Sequence, residues 1–111
     1  MATRNETMIE DLKTLLVRVA TNSAVSFTTF YFRCNVLLHD LDKKTEAHLV
    51  EQVKALKNLG ESLEEQLKIP NGRRRYAFAG DVVNRMKYRG IDISEKLEKE
   101  IIESAKQNQP E

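Results

Sequence analysis

Hydrophobic positions in the first part of the chain recur three and four residues apart, which is the spacing of one face of an α-helix. They are Met8, Ile9, Leu12, Leu15, Leu16 and Val19. Two capping boxes fit the start of this helix, Thr3-Arg4-Asn5-Glu6 and Thr7-Met8-Ile9-Glu10, because each places a threonine three residues before a glutamate. The pattern predicts helix one and leaves two alternatives for its first turn.

A second hydrophobic pattern follows the polar turn residues Thr21-Asn22-Ser23. Its members are Phe27, Phe30, Tyr31, Cys34, Leu37, Leu38 and Leu41. The stretch SFTTFYF is rich in β-branched and aromatic residues and also suits a strand, but the three-and-four spacing favours helix two. The aromatic residues at positions 27, 30, 31 and 32 point in different directions around such a helix. We expect most of them in the core and at least one to face a second chain or a ligand groove.

The third pattern begins after turn residues at 42–45 and continues as a heptad-like series. Its members are Leu49, Val53, Leu56, Leu63 and Leu67. Gly60 stands where this series expects a large residue, which predicts either a local gap that another helix fills closely or a kink. Pro70-Asn71-Gly72 then ends helix three.

The remaining sequence predicts two shorter helices. Helix four begins within the three arginines at 73–75 and runs to Arg89, with Gly90 as its stop. Asp92-Ile93-Ser94-Glu95 begins helix five, whose apolar face consists of Leu97, Ile101, Ile102 and Ala105. The predicted fold is all-α, with four to five helices in an antiparallel helical bundle and a C-terminal helical hairpin. It forms one domain over residues 1–106, followed by a flexible tail at 107–111.

The composition agrees with one helical domain. The chain has 111 residues, of which 41% are hydrophobic and 32% charged, and its single cysteine, Cys34, excludes an internal disulfide. The longest stretch without a charged residue runs from Val19 to Phe32 and is shorter and more polar than the roughly 20 apolar residues of a membrane-spanning helix. Because no secretory leader is evident, we expect a cytoplasmic protein without membrane insertion.

The net charge of +1 conceals a basic segment. Residues 73–89 contain six basic residues and one acidic residue, whereas residues 92–111 contain three basic and six acidic residues. Placed on a helix, the basic segment has an apolar side made of Tyr76, Ala79, Val82, Val83 and Met86. The candidate binding residues are Arg73, Arg74, Arg75, Phe78, Arg85, Lys87 and Arg89.

Three roles fit these candidate binding residues. Arginines beside an aromatic ring suit contact with a protein or another anionic partner, and a basic stripe can also follow a nucleic-acid backbone. The third role is structural, because acidic residues of helices three and five can neutralise the arginines within the fold. Arginines at a helix N-terminus are also poorly placed for the helix dipole. The sequence favours the structural role and leaves the other two open.

The sequence carries no recognisable catalytic or cofactor-binding motif. Cys34, His39, Asp40, Asp42 and His48 are metal-ligand types, but they lack the CxxC, HxxxH and HExxH spacings that direct such side chains to one ion. The isolated glycines form no phosphate-binding loop, and no serine or cysteine has the context of an activated nucleophile. The sequence predicts a non-enzymatic protein with no metal and no cofactor, in which Cys34 is a small buried hydrophobic residue.

Residues 73–106 resemble the C-terminal soluble element of the phage holin, LL-H family. The likeness is carried by AGDVVNRMKYRGIDISEKLEKEIIESAK, with spaced apolar positions Val83 and Met86, the turn Gly90-Ile91, and the final Ile102-Glu103-Ser104-Ala105. The sequence has no counterpart of the transmembrane segment of that family. The resemblance implies a phage or mobile-element origin, in which small helical proteins often act by binding a host or phage protein.

These observations lead to three functional hypotheses. The first is an interaction protein that binds and modulates a bacterial or phage protein complex, for example as an inhibitor of a host-defence system. The second is a nucleic-acid-binding regulator that uses the basic helix, and the third is a phage assembly or structural factor. A homodimer also fits the heptad-like series and the surplus aromatic residues, although the same residues can complete the core of a monomer.

Overall fold

The computed structural model describes residues 3–22, 25–70 and 75–108. Within these ranges the chain forms five α-helices: α1 (Arg4–Thr21), α2 (Phe27–Asp40), α3 (Ala47–Leu67), α4 (Ala79–Tyr88) and α5 (Glu95–Asn108). The predicted all-α fold is thereby confirmed. In the part of the chain described, no helix has the length and apolarity needed to cross a membrane.

Short polar side chains cap the starts of α1 and α2 and order the turn that precedes α3. The Thr3 hydroxyl accepts a hydrogen bond from the Glu6 N–H at 3.2 Å, so α1 uses the first of its two capping boxes. Ser26 caps α2 in the same way by accepting from the Thr29 N–H at 3.2 Å, and the helical alternative for SFTTFYF is confirmed. Before α3, Asp42 accepts hydrogen bonds from two backbone N–H groups of its own turn, which lowers the pKa of its carboxyl group.

Helices α1, α2 and α3 pack on one another to form the main core. Asn5 at the start of α1 donates to the Glu46 carboxylate at the start of α3, with 2.9 Å between Nδ2 and Oε2. Therefore α1 and α3 run in the same direction and α2 returns between them, as in the antiparallel bundle expected. The largest side chains fully enclosed by these three helices are Leu16, Phe30, Leu37, Leu56, Leu59 and Leu63.

At Gly60 the aromatic side chains of α2 pack directly against the backbone of α3. A Cβ atom at this position would lie 2.6 Å from Cε2 of Phe30 and 3.3 Å from Cε1 of Tyr31. Phe30 is fully buried, and α3 continues without interruption through Gly60. Of the two alternatives that the sequence allowed, the glycine provides a gap filled by a neighbouring helix.

Residues 75–78, here called the crossing segment, are not helical, so the prediction that helix four begins within the arginines is wrong. Arg75 N–H donates to the Leu67 carbonyl at 2.7 Å, and Ala77 N–H donates to the Ala20 carbonyl at 2.8 Å. The carbonyl groups of the last helical turn lack intrahelical partners, and the crossing segment supplies donors to one at the end of α3 and one at the end of α1. Because the backbone of the crossing segment makes these tertiary hydrogen bonds, α4 begins only at Ala79.

The C-terminal hairpin turns at Gly90, as predicted. Ile91 N–H donates to the Met86 carbonyl at 3.0 Å and Gly90 N–H to the Lys87 carbonyl at 3.1 Å, which is the Schellman pattern of a helix C-terminus. Gly90 has φ of +76°, and Ile91 and Met86 are both buried beside the turn.

Helix α5 then begins after Ser94, whose hydroxyl accepts from the Leu97 N–H at 3.1 Å. Ile101 and Ala105 of α5 are buried, and Leu97 and Ile102 pack against the core, so the predicted apolar face is confirmed. The helix extends to Asn108, two residues into the tail predicted at 107–111, and the rest of that tail lies outside the described residues.

Two largely buried polar side chains hold the turn at residues 90–92, a feature that the sequence analysis did not single out. The amide of Gln52 in α3 donates to the Gly90 carbonyl at 3.1 Å and accepts from the Asp92 N–H at 2.8 Å. The ammonium group of Lys13 in α1 donates to the Asp92 carbonyl. Burial lowers the pKa of Lys13, and the carboxylates of Asp92 and Glu10 oppose that shift. The hairpin is thus fastened to the bundle by side-chain hydrogen bonds to its backbone.

We predict that Gly90→Ala lowers the free energy of unfolding by about 1–2 kcal/mol, because an L-residue with a Cβ is disfavoured at positive φ. No atom lies within 4 Å of the added Cβ, so the loss is conformational and not steric. Asparagine tolerates this conformation, so Gly90→Asn should lose less. Urea unfolding of the three proteins measures both values, and equal losses for alanine and asparagine would contradict the explanation.

Candidate functional site

Large hydrophobic side chains stand exposed at two places on the described surface. Phe78 and Tyr88 are 71% and 93% exposed on the crossing segment and α4, with Tyr76 nearby at 43%. On α2, Phe32 is 67% exposed and Val36 is 40% exposed. Grouped exposed hydrophobic residues are the usual mark of an interaction site, so both places are candidate sites.

The crossing segment directs Tyr76 and Phe78 outward. Tyr76 and Phe78 are exposed, whereas Ala77 between them packs against the core and its backbone N–H is bonded to α1. The sequence predicts Tyr76 on the apolar side of a helix. That prediction is wrong, because α4 begins only at Ala79 and Tyr76 precedes it.

Helix α4 follows these rings and carries basic and aromatic side chains toward its C-terminal end, about 10–15 Å along the helix axis from Phe78. Val82, Val83 and Met86 are buried, which confirms the core side predicted for this helix. On its exposed side, Asn84, Arg85, Tyr88 and Arg89 line a shallow depression. We call the group of Tyr76, Phe78, Arg85, Tyr88 and Arg89 the basic-aromatic surface.

The structure places the predicted binding residues in three different situations. Arg73 and Arg74 lie outside the described residues, whereas Arg75 is exposed on the crossing segment. Lys87 is used within the fold, where its ammonium group donates to both carboxylate oxygens of Glu98 in α5 at 2.9 Å. This pair supports the neutralising role that the sequence favoured, but only for one of the basic residues.

Phe78, Arg85 and Arg89 are exposed as the binding hypothesis requires. Within the part of the chain described, neither Arg85 nor Arg89 forms an ion pair. Their charges therefore remain available to a partner.

Tyr88 is the most exposed ring of the described chain, and the sequence analysis did not name it. A signal was present, since a residue two positions after buried Met86 lies about 200° around the helix and points away from the core. An aromatic ring so far from the apolar side of a helix has no role in packing that helix on the core.

The second candidate site is an apolar groove between α1 and α2. It encloses about 250 Å³. The walls are formed by Met8, Leu12 and Leu15 of α1 and by Phe32, Val36 and Leu37 of α2, with Asp11 and Arg33 also lining it. Phe32 is exposed and lines this groove, so one aromatic residue of helix two does face outward, and the expected second chain or ligand stays a prediction. We call this site the α1–α2 groove.

Cysteine and histidine side chains of the described ranges lie apart from one another. Cys34 is fully buried, and burial raises the pKa of its thiol to about 12, so the thiol stays protonated at neutral pH. His39 and Asp40 approach each other at 3.7 Å on the surface, while His48 lies 3.1 Å from Asp92. The described residues contain no group of three or more histidine, cysteine, aspartate or glutamate side chains arranged to hold a metal ion.

Comparisons with protein families, with curated proteins and with solved structures find no match. The described residues offer exposed rings, guanidinium groups outside any ion pair and an apolar groove, which are means of binding.

Proposed function

We propose that this protein is a non-enzymatic interaction protein that binds a partner protein through the basic-aromatic surface. The observation that carries the proposal is the grouping of the exposed Tyr88 ring with Arg85 and Arg89 around one depression near the end of α4. Phe78 adds a second exposed ring at the start of the same helix. Aromatic residues and arginine are enriched at the centres of protein interfaces, where they account for most of the binding free energy.

The surface is suited to its role because its backbone is fixed before a partner arrives. The crossing segment is hydrogen-bonded to the ends of α1 and α3, and α4 is anchored by three fully buried side chains. A partner therefore orders only the exposed side chains, which limits the entropy lost on binding.

The chemistry of the surface defines the chemistry of the partner. Unpaired guanidinium groups favour carboxylates, with which they form bidentate hydrogen bonds, and the rings of Phe78 and Tyr88 require an apolar depression to fill. The resemblance of residues 73–106 to a phage element supports a bacterial or phage protein complex as the target. Inhibition of a host-defence system is one activity that such binding serves.

Nucleic acid is the second candidate partner, since Arg85 and Arg89 flank an exposed ring that can stack on a base. Against it, Lys87 is neutralised by Glu98, and Asp81 lies exposed on the same helix. Few phosphate contacts remain for the described residues, and affinity for a nucleic acid comes chiefly from such contacts. A protein partner is therefore favoured.

Affinity capture from bacterial lysate, with and without nuclease, tests the proposal when the bait is compared with surface variants. We expect a stoichiometric protein partner that survives nuclease. With the purified partner, Tyr88→Ser should weaken binding by about 2 kcal/mol, or about 30-fold, and Arg85→Glu by a similar factor. Arg4→Glu, an equal charge reversal at an exposed position of α1, is the matched control and should bind normally.

The alternatives give different results in the same experiment. Recovery of nucleic acid, with partners lost on nuclease and affinity falling steeply with salt, would favour the second candidate. Binding that is insensitive to both Tyr88→Ser and Arg85→Glu would show that the basic-aromatic surface is not the binding site.

A further inference from the structure

We propose that the α1–α2 groove binds a second copy of this chain, so that the protein pairs as a symmetric homodimer. The proposal is independent of the proposed function, because no residue of the basic-aromatic surface lines the groove. Two features of the groove support it, namely its shape and the two opposite charges that line it.

The shape of this face suits a copy of itself. Phe32 projects from α2 with two thirds of its surface exposed, and it borders two depressions. One is the α1–α2 groove, and the other is a shallower hollow lined by Asn35, Val36, His39 and Asp40. A projecting ring next to an apolar hollow can pair with a copy of itself. When two copies are related by a two-fold rotation, Phe32 of each copy can enter the hollow of the other.

The apolar side chains around the groove favour its burial. Met8 and Leu15 are half-buried at the groove, and Val36 lies one helical turn after Phe32 on α2. Together they extend the apolar patch across both helices. Covering these side chains removes apolar area from water, which is the main favourable contribution to association.

The charges at the groove are complementary in the way that a two-fold interface requires. Asp11 belongs to α1 and Arg33 to α2, so the two helices that form the groove contribute opposite charges. Both residues are exposed, and neither forms an ion pair within the described residues. In a symmetric dimer, a contact of Asp11 with Arg33 of the second copy occurs twice. The same surface therefore attracts itself at two symmetric positions.

Such pairing has a consequence for the basic-aromatic surface. That surface belongs to the crossing segment and α4, so groove pairing leaves it uncovered in both copies. A dimer presents it twice, which raises the avidity for a partner that carries repeated sites.

Sedimentation of the full chain from micromolar to millimolar concentration tests the pairing. We expect twice the monomer mass of 12.8 kDa at high concentration. Phe32→Ser should raise the dimer dissociation constant by about 30-fold, the effect of losing a central aromatic contact. Phe78→Ser, which removes an equally exposed ring from the other site, should leave the dissociation constant unchanged.

A charge exchange identifies the two-fold contact. Asp11→Arg and Arg33→Asp should each dissociate the dimer, because each places like charges opposite each other at both contacts. An equimolar mixture of the two variants should dimerise again, since every contact in the mixed pair then joins a carboxylate to a guanidinium group. Circular dichroism should show native helix content in every variant, because the substituted side chains are exposed.

Three results would overturn the proposal. The first is a monomer mass at millimolar concentration, which would leave the groove to a different occupant such as an amphipathic helix of another protein. The second is a dimer that survives Phe32→Ser, and the third is a mixture of the two charge variants that stays monomeric.

Discussion

Replacing Gly60 with alanine is expected to lower the free energy of unfolding by about 1–2 kcal/mol, although alanine is the better helix former by about 1 kcal/mol. The added Cβ would stand 2.6 Å from Cε2 of Phe30, which is closer than two carbon atoms approach without repulsion. Phe30 is fully buried and its ring packs on that of Tyr31, with 5.8 Å between the ring centroids. The ring cannot move aside without disturbing α2, so the steric loss exceeds the gain in helix propensity.

A double-mutant cycle with Phe30→Leu separates steric repulsion from other causes. The smaller leucine side chain provides room, so Gly60→Ala should be much less destabilising in the Phe30→Leu background, by a coupling of about 1 kcal/mol or more. Gly80→Ala is the control, since no atom lies within 4 Å of its added Cβ. Chemical denaturation measures the unsubstituted protein and the four variants, which are the two single mutants of the cycle, the double mutant and Gly80→Ala. Additive effects at Gly60 and Phe30 would contradict the packing explanation.

Gln52→Leu is the second substitution with a large expected effect, a loss of about 2–3 kcal/mol in the free energy of unfolding. Leucine has a similar size but offers no polar atom to the turn at residues 90–92. The Gly90 carbonyl and the Asp92 N–H then both lose their side-chain partner at a place where the fold partly excludes water. Unsatisfied backbone groups of this kind cost more than the net value of the hydrogen bonds themselves.

The matched control is Gln66→Leu, the same change at an exposed position of the same helix. It should alter the free energy of unfolding by less than about 0.5 kcal/mol. Hydrogen exchange would locate the effect, because Gln52→Leu should reduce protection at Asp92 and in α5 before it reduces protection in α2. An unchanged stability for Gln52→Leu would mean that water replaces the amide without loss.

The helices were predictable because their signals are local. The spacing of apolar residues in α1, α2, α3 and α5 follows directly from burying one side of each helix, and Ser94 and Gly90 carry the start and stop signals that helix termini require. Even the close approach at Gly60 could be stated as one of two alternatives. It could not be decided, because it depends on which residue of another helix lies opposite.

The start of α4 was mispredicted because its cause is not local. Nothing in the sequence of residues 75–78 shows that the Leu67 and Ala20 carbonyls will lie within reach of their N–H groups. This error also changed which residues were predicted for the candidate site. Arg85, Arg89 and Phe78 were identified from charge and pattern, whereas Tyr76 was assigned to the wrong side. Lys87 was included although it pairs with a glutamate from a helix whose position the sequence does not reveal.

The crossing segment is attached to the bundle by its backbone, so a change of an exposed side chain there can alter binding without altering the fold. Its attachment to α1 and α3 is made by main-chain N–H groups, which every amino acid except proline supplies. Position 78, whose ring is mostly exposed, can therefore exchange one side chain for another while the bundle keeps its stability. Related chains that must follow a changing target would be expected to diversify first at this position, and to keep a non-proline residue at 75 and at 77.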